Sequence, residues 1–75
     1  SDLYQLGVIY SQKGDTARAA LATAEQAQMT GQNAMALRSA TTAMAGLTEG
    51  SSDYLRAQDI ALVARAAVEQ ERKRK

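Results

Sequence analysis

The side chains in this 75-residue sequence that could do chemistry are few, and their types exclude more than they suggest. There is no His and no Cys. A Cys-His dyad, a Ser-His-Asp triad, an HExxH zinc motif and a Cys/His zinc cluster are therefore all absent from the segment. The remaining candidates are carboxylates, and none is paired for acid-base work. Asp53 and Asp59 stand six residues apart, on different faces of a helix. Asp15 and Glu25 fall on a helix-capping position and on a surface position, where isolated carboxylates are ordinary solvated groups. Arg56 and Asp59 have the i, i+3 spacing of a weak exposed ion pair. The five glycines are isolated and form neither a phosphate loop nor a dinucleotide fingerprint. No catalytic, cofactor-binding or metal-binding residue is expected in this segment, and it is not expected to be an enzyme by itself.

Charge narrows the partners. The formal net charge is +1, but Arg72, Lys73, Arg74 and Lys75 form a basic tail. Without that tail the body carries five positive and eight negative charges, a net of −3, which disfavours nucleic acid through the second interhelical turn and the tail. The tail lacks a neighbouring aromatic, is flanked by Glu69 and Glu71, and suits the negative end of a helix dipole. The longest apolar runs, such as Ile60 to Ala64, are about five residues, far short of the roughly 20 that a spanning helix needs. No signal-peptide pattern opens the sequence, so the signal of an exported parent protein would lie upstream.

The elements that must position these groups are helices. Sixteen residues are Ala, proline is absent, and there is no Phe or Trp. Such a core must gain its energy from close backbone approach. Three breaks divide the chain: Gly14-Asp15-Thr16, Gly31-Gln32-Asn33 and Gly50-Ser51-Ser52-Asp53. In each, a glycine suits the left-handed end of one helix and Asp15, Asn33 or Ser51 suits the cap of the next. One domain, residues 1–75, with four helices is expected: 2–13, 16–29, 34–47 and 52–72, followed by the tail at 72–75. The apolar stripes are Ala17, Ala20, Leu21, Ala24 and Ala27 on the second, and Leu37, Ala40, Met44 and Leu47 on the third. On the fourth they are Tyr54, Ala57, Ala61, Ala64 and Val68, widened by Ile60, Val63 and Ala67.

Leu3-x-x-Leu6-Gly7-x-x-Tyr10, then Gly14-Asp15, then Ala19 and Ala20, resembles a tetratricopeptide-type helical hairpin. Gly7 removes a side chain where a second helix approaches, and Leu3, Leu6 and Tyr10 form a stripe. Thr23 and Gln26 depart from the pattern, which usually has a larger or apolar residue there. Gly14 and Gly31 are 17 residues apart, half of a 34-residue repeat. The expected architecture is all-α: a tetratricopeptide-like antiparallel array of four helices with a long C-terminal capping helix.

Gly14-Asp15, Ala20 to Glu25, and Gly50 to Ile60 together resemble the C-terminal tetratricopeptide segment of BepA-type bacterial zinc-dependent proteases. Ser52 and Tyr54 stand where that family usually has Pro and Trp. The resemblance implies a periplasmic or outer-membrane-associated protein in which this part recognises partners while an upstream domain cuts peptide bonds. The zinc ligands of that family have no counterpart here, and no catalytic residue carries over. The expected function is a non-catalytic protein-interaction module with a groove for a protein or peptide. Its candidate lining is Tyr4, Val8, Ser11, Arg18, Leu21, Glu25 and Gln28. The alternative is a structural module that packs on its parent domain or on a second copy.

Overall fold

The computed structural model describes the backbone of residues 2–74 and the side chains of residues 14–74. Among the described residues the chain is all-helical, with three helices: α1 (Asp2–Met29), α2 (Asn33–Gly46) and α3 (Ser52–Lys73). The four expected helices become three because the first two are continuous. Gly31 and Gly50 adopt φ of 76° and 84°, and they are the glycines with positive φ among the described residues. A glycine ends a helix by entering that left-handed region. Gly14 does not enter it, and glycine inside a helix costs only about 1 kcal/mol relative to alanine. Asp15 caps nothing. Instead it lies inside α1 and pairs with Arg18 one turn on.

The two real breaks are hydrogen-bonded turns. At the end of α1 the amide of Gln32 donates to the Ala27 carbonyl at 2.9 Å and that of Gly31 to the Gln28 carbonyl at 3.3 Å. This paired pattern around a left-handed glycine is a Schellman motif. Asn33 is not the cap expected of it. Gln32 takes the cap position without a side-chain capping bond, its side-chain amide donating instead to the Thr30 hydroxyl at 3.0 Å. Asn33 instead donates from Nδ2 to Oε1 of Glu71 at 2.7 Å, tying the start of α2 to the end of α3. The second break is a Thr48-Glu49-Gly50-Ser51 turn closed by a 3.0 Å bond, with Gly50 supplying the positive φ that a type II turn requires at its third residue. Ser51 then caps α3, its Oγ accepting from the Tyr54 amide at 3.2 Å, and Asp53 sits in the first turn near the positive dipole end.

Short connections make α2 antiparallel to both neighbours. It packs against α1 and α3 along its length, while α1 and α3 meet along a narrower seam. Among the described residues eleven apolar side chains are buried and nine of them are alanine, so the helices approach closely instead of interlocking large side chains. Ala17, Leu21, Ala24 and Ala27 form the buried face of α1 as expected, with Ala20 half-buried. On α2 the deepest stripe is Ala36, Ala40 and Ala43, whereas Leu37, Met44 and Leu47 are half-buried flanks. A central helix squeezed on two sides puts its smallest residues at the contacts and its larger ones beside them. On α3, Ala57, Ile60, Ala61 and Ala64 are buried, but Val63 faces solvent.

Candidate protein-binding surface

The seven residues expected to line a groove are described only in part. Of its seven candidate residues, Tyr4, Val8 and Ser11 lie outside the described side chains. Arg18, Leu21, Glu25 and Gln28 do share a stripe of α1, as their spacing requires. That stripe runs from the core onto the flank facing α3. Leu21 is only 5% exposed and belongs to the core cluster, so it presents no anchor to a partner. Glu25 is half-buried and accepts a hydrogen bond from Nη2 of Arg56 at 2.9 Å. Arg18 is exposed and engaged with Asp15, and Gln28 is exposed. α3 reaches this face at Glu25, through Arg56, while Arg18 and Gln28 stay exposed.

The same bond reassigns Arg56. Its spacing to Asp59 suggests a local pair within α3, but its partner is Glu25, 31 residues away. The hydrogen bond to Glu25 and the attraction of its charge raise the Arg56 pKa above the ordinary arginine value. Among the described residues no group of three His, Cys, Asp or Glu side chains is placed to hold a metal ion. No buried side-chain polar atom there lacks a hydrogen-bond partner.

Two shallow grooves lie elsewhere. One, of about 250 Å³, runs between α2 and α3 and is lined by Thr41, Met44, Gln58, Ala61, Leu62 and Arg65. Ala61 is its buried floor and Met44 a half-buried wall. Leu62 stands at its rim, 65% exposed despite being a large apolar side chain. Arg65, one turn on, is exposed and takes part in none of the ion pairs among the described residues. The Thr41 hydroxyl is committed to the Leu37 carbonyl at 2.8 Å, which leaves Gln58 and Arg65 as the polar groups able to orient an incoming chain. Chemically, this groove offers an apolar ledge beside a cation. The second groove, of about 310 Å³, lies between α1 and α2 and is lined by Ala22, Thr23, Gln26, Ala27, Gln32 and Met35.

None of the α2/α3 groove residues was singled out as a site from the sequence, although a signal was present. Leu55 and Leu62 are seven residues apart, on the side of α3 opposite the Ala57, Ala61 and Ala64 stripe. Large apolar residues opposite a small-residue core face mark a surface that water covers in the isolated chain. No family model, no curated protein and no solved structure matches the chain. No helix among the described residues is long and apolar enough to cross a membrane.

Proposed function

We propose that this chain is a non-catalytic protein-interaction module whose working surface is the groove between α2 and α3. The observation that carries this reading is Leu62, a large apolar side chain 65% exposed at the groove rim, beside the exposed Arg65. The partner that fits is an amphipathic helix or peptide bearing one apolar anchor and, about one turn away, a carboxylate. The anchor would cover Leu62 and Met44, and the carboxylate would meet the guanidinium. On this reading α1, α2 and α3 form a short tetratricopeptide-like stack, in which α2 is the first helix of a repeat and α3 its second. The resemblance to BepA-type proteases supports placing the module in a larger periplasmic zinc metalloprotease, where it would present substrates or partners to an upstream catalytic domain. A full-length reading frame carrying an HExxH helix behind a signal peptide tests that placement.

The groove itself is tested by peptide display against the isolated chain. Selected peptides should combine an apolar anchor with an acidic residue. Leu62→Asp should weaken their binding by about 2 kcal/mol, a roughly thirty-fold loss, with helix content unchanged by circular dichroism. Equal affinity for wild type and Leu62→Asp removes the groove from consideration.

A further inference from the structure

α3 itself carries the features that the α2/α3 groove requires of a partner. Leu55 and Leu62 are 52% and 65% exposed, and their spacing of seven residues sets them close to one line along the helix. Asp59 lies between them, about one turn from each, and is exposed. Arg65 lies one turn beyond Leu62 and is exposed as well. Neither Asp59 nor Arg65 takes part in any ion pair among the described residues. The outer face of α3 therefore presents Leu62 with a carboxylate three residues before it and a guanidinium three residues after it.

Such an arrangement is its own complement. When two of these helices run antiparallel about a two-fold axis at Leu62, a residue before Leu62 comes opposite the residue equally far after it in the second copy. Leu62 then meets Leu62, Asp59 meets Arg65, and Arg65 meets Asp59. Gln58 meets Ala66 and Leu55 meets Glu69, so no like charges are opposed from Leu55 to Glu69. Other arrangements lose this match. Moving the axis to lie between Gln58 and Asp59 brings Leu55 onto Leu62, but it sets the two Asp59 carboxylates only about 1.5 Å apart in level and each Arg65 opposite Ser52. A parallel pair sets Asp59 level with Asp59 and Arg65 level with Arg65. Charge therefore selects the antiparallel register centred on Leu62. A formal net charge of +1 adds little overall repulsion between copies.

We infer that the occupant of the α2/α3 groove is α3 of a second copy, antiparallel about Leu62 and held by two reciprocal bridges between Asp59 and Arg65. This inference rests on the groove reading above and names its partner. Leu62 of each copy covers the ledge of Leu62 and Met44 on the other, and each carboxylate meets a guanidinium, so the same patch serves on both sides. A face this narrow makes a weak dimer, which an acidic amphipathic peptide can displace.

Charge reversal tests the pairing at exposed positions, away from the core. Asp59→Arg and Arg65→Glu each turn both bridges into repulsions. Each variant alone should weaken the dimer by about ten-fold or more in sedimentation equilibrium, with helix content unchanged. Mixing the two variants should restore association, because each bridge then joins a cation of one to an anion of the other. Combining both substitutions in one chain should restore it too. Peptides selected on the groove should dissociate the wild-type dimer. A dimer indifferent to both reversals overturns the pairing, and so does a mixture that fails to recover. A strict monomer that still binds the selected peptides overturns the second copy as occupant and leaves the groove standing. A strict monomer that binds none of them removes both.

Discussion

Between Glu25 on α1 and Arg56 on α3 a single charged hydrogen bond of 2.9 Å joins helices that otherwise meet along a narrow seam. Its pH dependence follows from the sign of the Arg56 shift. The folded value is raised, so the stabilisation is complete below the unfolded pKa and is lost only as pH rises through the folded one. That window lies in strong alkali. The guanidinium therefore adds no slope to thermal stability between pH 6 and about pH 9, which melting curves across that range check. The Ser51 cap is a second local device. Ser51→Ala removes the acceptor for the Tyr54 amide and should cost about 1 kcal/mol in urea unfolding, with the denaturant slope unchanged. Ser51 and Asp53 were legible in sequence because a cap needs only its own helix. Arg56 was not, because its partner lies on another helix.

At the scale of elements, the contrast among the glycines is informative. Gly31 and Gly50 take positive φ and reverse the chain, whereas Gly14, in an equally turn-like Gly-Asp context, stays helical. A glycine makes a left-handed turn inexpensive but does not compel one. What compels it is burial gained by reversing. After Gly31, reversal lays α2 on the Ala17, Leu21, Ala24 and Ala27 face, where Ala36, Ala40 and Ala43 meet it. Gly31→Ala leaves the space around a new Cβ open but forces alanine into the left-handed region, and should destabilise by about 1–2 kcal/mol. Chemical denaturation checks this, with Gly14→Ala as the comparison that should show no loss. The alanine stripe of α2 carries the opposite sensitivity. Ala40→Leu places three extra carbons where two helices already touch, and should cost about 1–3 kcal/mol. A melting temperature equal to that of wild type would show that the helices are not closely packed there.

At the scale of the whole molecule, the same economy of small residues shapes the proposed surface. Among the described residues the core has eleven side chains, with no large residue fully enclosed, and the bigger apolar groups lie at the margins. Met29, Leu55, Leu62 and Val63 are each more than half exposed, and Leu62 and Met35 border the two grooves. A chain this short buries only about 60% of the surface its unfolded form exposes, so added burial against a partner or a second copy contributes to a thin stability margin. The α2/α3 groove is one place where such burial can be gained.

The sequence by itself determined that the chain is helical and which face of residues 17–27 turns inward, whereas it placed Leu37 and Val63 on inward stripes that the packed helices leave half-buried and exposed. Composition and a 3.6-residue period are properties of the chain taken locally, and they survive into any packing. It also located the Gly31 and Gly50 reversals and the Ser51 cap, whose hydrogen bonds close within a few residues. The tertiary structure alone decided the number of helices, because a Gly-Asp pair is compatible with either a helix interior or a turn. It alone decided that Glu25 belongs to Arg56. That outcome depends on where α3 comes to rest, and no spacing within α1 encodes that. The exposure of Leu62 was decided in the same way: its periodicity places it opposite the alanine face, but only the packed stack leaves that side without a helix of its own chain.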